Sequence, residues 1–169
     1  KIFEKLLMNR MVNFLEQHNV IYNLQYGFRN GSSTTVAITE LVDSIINDID
    51  SKKHVGALFL DLKKAFDTLN HDILLAKLDR YGIRGSANEV IRSYLQNRQQ
   101  FVSIDGERSS LMHIHTGVPQ GSNIGPLLFL LYINDICRIG LKGTARLFAD
   151  DTVLSYSSVS VERIVHLMK

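Results

Sequence analysis

Two adjacent carboxylates interrupt an apolar stretch near the end of the chain, RLFADDTVLSY at residues 146–156. The apolar residues on either side predict two short strands joined by a turn that carries Asp150 and Asp151. Like charges at a hairpin tip repel each other, and partial burial raises the cost of keeping both ionised. A divalent cation would remove that cost, and carboxylate oxygens favour Mg²⁺ or Mn²⁺ over zinc. An ordinary polar turn on a surface hairpin is the alternative that these residues alone leave open.

The composition limits the class of protein. A single cysteine, Cys137, excludes an internal disulfide and is consistent with a reducing compartment. The formal net charge of +2 does not indicate a nucleic-acid binder, so such a role must rest on local sites. The most apolar run, GPLLFLLYINDIC, is broken by Asn134 and Asp135 and predicts a buried helix that does not cross a membrane. The chain lacks a signal-peptide pattern and a starting methionine, and we expect it to lie inside a longer protein.

A third carboxylate follows another apolar run, in HVGALFLDLKKAFD at residues 54–67. The run VGALFL predicts a central strand that is buried on both faces, and the strand ends at Asp61. A carboxylate at that end of a strand can meet carboxylates from a neighbouring hairpin. Phe66 is either part of the core or the wall of a pocket, and its spacing alone favours the core.

A second hairpin is predicted in FVSIDGERSSLMHIH, with its turn at Asp105 and Gly106. His113 and His115 would face the same side of one strand, but no third ligand with zinc spacing accompanies them. A zinc site is therefore the weaker interpretation of the two histidines.

A loop with one polar amide precedes the apolar helix. In HTGVPQGSNIGP, Gln120 is surrounded by small residues that would let a backbone or a flat ligand come close, and a tight interdomain turn is the alternative. Arg29 and Arg98 would either contact a phosphate or lie in solvent.

Three of these stretches together supply the minimum set for two-metal phosphoryl chemistry: the apolar run that ends at Asp61, the loop around Gln120, and the hairpin that carries Asp150 and Asp151. Such chemistry needs several carboxylates that converge on two ions, one to activate an attacking hydroxyl and one to stabilise the leaving pyrophosphate. In a polymerase the attacking hydroxyl is the 3′ end of a primer. The joint occurrence is much more specific than any one stretch.

The same three stretches resemble a known family. FLDLKKAFD, TGVPQGSNIGPLLFLLYINDI and LFADDTVL (the FADD motif) resemble the first, second and third palm motifs of reverse transcriptases. QYGFRNGSST, HDILLAKLDRYGI and SYLQNRQQFVSIDG are similar to non-LTR, LINE-type retrotransposons of the Jockey and CR1 kind. The resemblance covers essentially the whole chain and implies the core of a retrotransposon RNA-directed DNA polymerase. Such a nucleotidyltransferase adds dNTPs to a DNA primer 3′-hydroxyl on an RNA template.

The resemblance also implies a role for each matching residue. Asp61, Asp150 and Asp151 match the catalytic residues that bind two Mg²⁺ ions, for which Mn²⁺ is a possible substitute. The main-chain carbonyl of Leu62 matches a further metal ligand. Phe66 matches the aromatic gate beneath the sugar of the incoming nucleotide, where a ring would exclude a 2′-hydroxyl.

The remaining implied contacts are with the nucleotide and the nucleic acid. Gln120 and Gly121 match the loop that lies against the incoming nucleotide and the template base. The implied primer and template contacts fall on Phe148, Ala149, Arg29 and Arg98. Asn123 departs from the aliphatic residue that is usual in the family.

The implied fold is α+β: a polymerase palm with an antiparallel, ferredoxin-like sheet backed by helices, partial fingers and no thumb. We expect partial fingers at 1–54, palm with the first motif at 55–81, a fingers-like insertion at 82–114, and truncated palm with the second and third motifs at 115–169. The triphosphate-clamping hairpin would precede Lys1, and the fourth motif, primer grip and thumb would follow Lys169. The isolated chain is therefore expected to be inactive.

Two other functions compete with this interpretation. One is a non-catalytic nucleic-acid scaffold or a decayed, inactive reverse transcriptase fragment. The other is a viral RNA-templated RNA polymerase, which shares the palm and the paired aspartates. Phe66 argues against the latter, because an enzyme that uses ribonucleotides needs a polar partner for the 2′-hydroxyl. We expect an intracellular protein, in cytoplasm and nucleus within a retroelement ribonucleoprotein, with no membrane partner.

Overall fold

A computed structural model describes residues 1–168; Lys169, the last residue of the predicted palm range, lies outside the described residues. In chain order the elements are α1 (Ile2–Gln17), α2 (Thr34–Asp50), β1 (His54–Leu60), α3 (His71–Arg80), α4 (Ser86–Leu95), β2 (Arg98–Gln100), β3 (Ser103–Ile104), β4 (Glu107–Arg108), β5 (Met112–Ile114), α5 (Gly125–Ile133), a 3₁₀ turn (Ile136–Arg138), β6 (Thr144–Phe148), β7 (Asp151–Ser158) and α6 (Val161–Leu167). They divide into two compact units, one of residues 1–20 and 64–132 and one of residues 21–63 and those from 133 onward.

The second unit is built on a three-stranded antiparallel sheet in the order β1-β7-β6. The central strand β7 pairs with β1 as far as Leu60 opposite Thr152, and with β6 as far as Phe148 opposite Asp151. Every second residue of β7 is buried, starting at Thr152. This alternation is typical of a strand with one face against a core.

The prediction that VGALFL forms a central strand buried on both faces is wrong. β1 is an edge strand of this sheet, and most of its residues are exposed, with 71% of Phe59 accessible to solvent. On the covered face, Gly56 packs so closely against Ile164 of α6 that a Cβ would lie 2.6 Å from its Cγ2. An apolar run expresses a preference for extended structure, but the neighbouring elements decide how many of its faces are covered.

The first unit has a core supplied largely by helices. Residues Leu127 to Leu131 of α5 are all buried, which confirms the predicted buried helix. Among the described residues, no helix combines the length and the apolar character that crossing a bilayer requires. Asn70 caps the N-terminus of α3, because its side chain accepts a hydrogen bond from the Ile73 amide at 3.0 Å.

The predicted hairpin turn at Asp105 and Gly106 is confirmed. β3 and β4 pair on either side of it, and both turn residues have positive φ, 50° and 89°. Positive φ at both central positions is the geometry of a type I′ turn, which matches the right-handed twist of the flanking strands. The outer pair β2 and β5 places His113 opposite Gln99.

Candidate active site

The hairpin between β6 and β7 turns through Ala149 and Asp150. Asp151 is already the first residue of β7 and pairs with Phe148. The prediction that both aspartates form the tip is thus wrong by one residue, because the pairing of Phe148 with Asp151 places the two turn positions at Ala149 and Asp150. Ala149 has φ of 57°, a left-handed conformation that hairpin turns usually assign to glycine.

The sheet brings the third aspartate to the same end. Asp61 follows β1 directly, and the last residue of β1, Leu60, pairs with Thr152, the neighbour of Asp151. Adjacent strands lie about 4.8 Å apart, so Asp61 and Asp151 belong to neighbouring strand ends. Both residues are exposed, whereas Asp150 is half-buried.

These three aspartates have the chemistry of a site for a hard divalent cation. Carboxylates provide the oxygen ligands that Mg²⁺ and Mn²⁺ prefer, and the exposed positions leave room for water or a substrate oxygen. Within residues 1–168, however, no group of three or more His, Cys, Asp or Glu side chains is arranged to hold a metal ion. Metal binding by the three carboxylates and the Leu62 carbonyl stays a prediction.

A buried glutamine that the sequence analysis missed contacts the turn. Gln25, 3% exposed, accepts hydrogen bonds through Oε1 from the amides of Ala149 at 3.1 Å and Gly27 at 2.8 Å. Its Nε2 donates to the Ala149 carbonyl at 3.5 Å. The only local signal is an amide two residues before a glycine in QYG, which does not by itself indicate a partner 124 residues away.

Arg29 lies in the same loop as Gln25. Its Nη1 donates to the carbonyls of Tyr22 at 3.2 Å and Gln25 at 3.3 Å, and the residue is half-buried. The guanidinium therefore braces the loop, while the predicted phosphate contact remains untested.

The first unit brings Phe66 and the Gln120 loop together. The Phe66 ring is half-buried with its centroid 4.4 Å from that of Phe129, and the Phe66 carbonyl accepts a hydrogen bond from the Val118 amide at 2.9 Å. A Cβ on Gly117 would lie 2.8 Å from the Asp67 carbonyl, so only glycine allows this approach. Gln120 is exposed, with Nε2 3.5 Å from the Asp67 carboxylate.

A groove of about 810 Å³ lies beside this loop. Its lining includes Arg98, Gln99, His113, His115 and Gln120. The Arg98 guanidinium lies 5.7 Å from the centre of the Tyr94 ring, and the two histidine rings lie 6.1 Å apart, on the same side as predicted. Arg98 and Gln120 therefore face one open space.

The other predicted contact residues have contrasting environments. Phe148, at the end of β6, is half-buried, whereas Ala149 is only 5% exposed and has its amide and carbonyl bound to Gln25. Gly121 has φ of 72° and open space where a side chain would be. The contacts of Phe148 and Ala149 with a primer, and of Gly121 with a nucleotide, stay predictions.

The sequence and the fold each have known relatives. The whole chain, residues 1–169, matches the family described as "Reverse transcriptase (RNA-dependent DNA polymerase)". It is 35% identical over 162 residues to the probable RNA-directed DNA polymerase from transposon X-element of Drosophila melanogaster, covering 94% of this chain and 18% of that protein. It is 34% identical over 136 residues to the RNA-directed DNA polymerase from mobile element jockey of the same species, covering 80% and 15%.

Among solved structures, the fold is similar to that of apo telomerase from Candida tropicalis truncated from its C-terminal domain. The TM-score is 0.62 at 14% identity, over 98% of this chain and 35% of that one. This likeness concerns the fold alone, and it confirms the predicted α+β fold of a partial polymerase palm and fingers. The chain spans less than a fifth of the length of the curated relatives named above.

Proposed function

The chain belongs to the reverse transcriptase (RNA-dependent DNA polymerase) family, and we propose that it is the catalytic core of an RNA-directed DNA polymerase encoded by a non-LTR retrotransposon. Its relatives from the X-element and jockey are named as RNA-directed DNA polymerases. Because the chain spans only part of them, polymerisation is proposed for the longer protein that contains it. The assignment of 55–81 and 115–169 to the palm, and of 1–54 and 82–114 to fingers, is part of the proposal.

One observation carries this proposal. Asp61 follows a strand whose last residue pairs with Thr152, so that Asp61, Asp151 and the turn residue Asp150 occupy one end of one sheet. Residues separated by about ninety positions in sequence thus lie at neighbouring strand ends, and two-metal nucleotidyl transfer requires several carboxylates that can converge on the ions. An accidental surface turn would not need an aspartate at the end of the neighbouring strand.

In this mechanism Asp61, Asp150, Asp151 and the Leu62 carbonyl would hold divalent ions, Mg²⁺ or alternatively Mn²⁺. When bound, such ions would supply a lower pKa for the primer 3′-hydroxyl and stabilisation for the leaving pyrophosphate.

The nucleotide and nucleic-acid contacts are proposed on separate residues. The Phe66 ring packs against Phe129 and would exclude a 2′-hydroxyl. Gln120 and Gly121 would lie against the incoming nucleotide, and Arg98 would contact a phosphate from the groove that it lines. Phe148 and Ala149 would lie near the primer end, and Arg29 near a template or primer phosphate. The partners are then an RNA template, a DNA primer and dNTPs, met in cytoplasm and nucleus within a ribonucleoprotein.

Primer extension tests the function. The protein that contains this chain is given an RNA template, a DNA primer, dNTPs and Mg²⁺, and the wild type is compared with Asp150→Asn. Asp105→Asn is the matched control, because it makes the same change in the exposed turn between β3 and β4. We expect extension by the wild type and the control, and none by Asp150→Asn. A well-folded wild type that does not extend the primer would favour the scaffold or the decayed element.

A further inference from the structure

We infer that Gln25 is a positioning residue that holds the turn carrying Asp150 in the geometry in which the aspartates act. This inference rests on the proposed function, because the role it assigns concerns the metal-binding carboxylates. Gln25 has no charge and does not itself belong to the proposed ligand set. Its effect would be exerted through the backbone of Ala149.

The turn needs such support because its conformation is unfavourable for its sequence. Ala149 has φ of 57° without being glycine, and Asp150 follows it directly. A left-handed alanine places its Cβ close to the following carbonyl, so the residue returns to other conformations unless its surroundings prevent it. Any such relaxation would move the peptide that joins Ala149 to Asp150.

The side-chain amide of Gln25 binds both sides of this residue. Oε1 accepts from the Ala149 amide at 3.1 Å, and Nε2 lies 3.5 Å from the Ala149 carbonyl. The same Oε1 accepts from Gly27 at 2.8 Å, which orients the glutamine side chain from its own loop. Because Gln25 is only 3% exposed, water does not readily compete for these hydrogen bonds.

The backbone around Gln25 is anchored to the same hairpin. The Tyr26 amide donates to the Leu147 carbonyl at 2.8 Å, and the Leu147 amide donates to the Leu24 carbonyl at 2.9 Å. These bonds fix the loop along β6, one strand residue before the end of β6. The backbone on either side of Gln25 is therefore attached to the same hairpin whose turn the Gln25 side chain contacts.

This arrangement predicts a link between Gln25 and metal affinity. Groups that orient metal ligands typically change affinity by about 10–100-fold when they are removed. Loss of the Oε1 acceptor would release the Ala149 amide and let the turn relax. Metal binding would then have to reorder the turn and its carboxylates, and this cost would lower the metal affinity. The role would be seen in metal dependence even where the protein stays folded.

The test uses the longer protein that contains this chain, with two substitutions at one position. Gln25→Met has a similar length but neither acceptor nor donor, whereas Gln25→Glu keeps an oxygen that can accept from Ala149 and Gly27. Asn88→Leu is the control for a lost buried amide, because Asn88 Nδ2 donates to the carbonyls of Leu75 at 3.0 Å and Ile83 at 3.1 Å in the other unit.

Three measurements separate positioning from a merely structural effect. They are amide hydrogen exchange at Ala149 without metal, Mn²⁺ affinity by electron paramagnetic resonance, and the Mg²⁺ concentration for half-maximal primer extension. We expect Gln25→Met to speed Ala149 exchange and to weaken Mn²⁺ binding about 10-fold or more, with a matching rise in the Mg²⁺ requirement. Gln25→Glu should restore slow exchange, and Asn88→Leu should lower stability without changing the metal dependence.

The outcomes distinguish this inference from the proposed function. If the wild type binds Mn²⁺ and Gln25→Met binds it equally well, Gln25 is not a positioning residue although the polymerase assignment stands. Equal loss of affinity in Gln25→Glu and Gln25→Met would also overturn the role of the Oε1 acceptor. A folded wild type that neither binds Mn²⁺ nor extends a primer overturns the proposed function, and the role of Gln25 with it.

Discussion

Replacing Gly27 by alanine should separate the loop of residues 24–27 from the hairpin of the aspartates. A Cβ built on Gly27 would lie 2.2 Å from the Ala149 nitrogen and 2.8 Å from its Cα. Both are backbone atoms of the buried residue Ala149, so the clash cannot be relieved by a change of side-chain rotamer. Bringing the nearest contact to 3.0 Å, the lower limit for real Cβ contacts, requires a shift of about 0.8 Å.

The hydrogen bonds across this contact set the magnitude. A shift of about 0.8 Å would lengthen the Tyr26 N to Leu147 O distance from 2.8 Å to about 3.6 Å, beyond a hydrogen bond. The bonds from Leu147 N to Leu24 O and from Ala149 N to Gln25 Oε1 would be strained in the same way. Three such bonds at about 0.5–1.5 kcal/mol each predict a loss of about 1.5–4.5 kcal/mol in the free energy of unfolding.

Urea unfolding of the longer protein, followed by a probe within this chain, measures the loss. Gly31→Ala is the matched control, because Gly31 lies in the same loop region with φ of 75° and nothing within 4 Å of a built Cβ. That control should lose about 1–2 kcal/mol for the left-handed alanine alone. The entropy that alanine removes from the unfolded chain is common to both variants and cancels. A loss for Gly27→Ala no larger than that for Gly31→Ala would refute the close approach as the cause.

Three further predictions concern single side chains. Phe66→Ala should relax the discrimination between dNTPs and rNTPs in primer extension, and unchanged rejection of rNTPs would exclude Phe66 as the gate. Tyr26→Phe should cost about 1–3 kcal/mol in urea unfolding, because the Tyr26 hydroxyl donates to the Glu40 carboxylate at 2.5 Å. Burial and, to a lesser extent, this hydrogen bond raise the pKa of Tyr26 from 10.0 to about 12. The stabilisation by the protonated hydroxyl is therefore present below pH 10 and is lost as the pH rises towards 12. The Tyr26→Phe variant should not show this loss. Burial raises the pKa of the Cys137 thiol to about 11, so alkylation at neutral pH should be much slower in the folded than in the urea-unfolded protein, and equal rates would contradict the burial.

Local pattern was sufficient for several of the elements and for singling out the three aspartates. The Asp105–Gly106 turn and the buried helix α5 each depend on a few neighbouring residues, and both appear where the sequence places them. The aspartates were found for a similar reason, since a carboxylate that ends or interrupts an apolar run is visible without knowing its partner.

Tertiary structure alone decided which surfaces those elements present and which groups meet. β1 became an exposed edge strand because only β7 pairs with it among the described residues, and strand propensity contains no information about neighbours. The turn through Ala149 and Asp150 depends on pairing register, and a shift of one residue changes which aspartate belongs to the strand. Gln25 shows the limit most clearly. Its hydrogen bonds to Ala149 span 124 positions, and only the folded backbone brings an ordinary loop amide to the one place where a strained turn needs it.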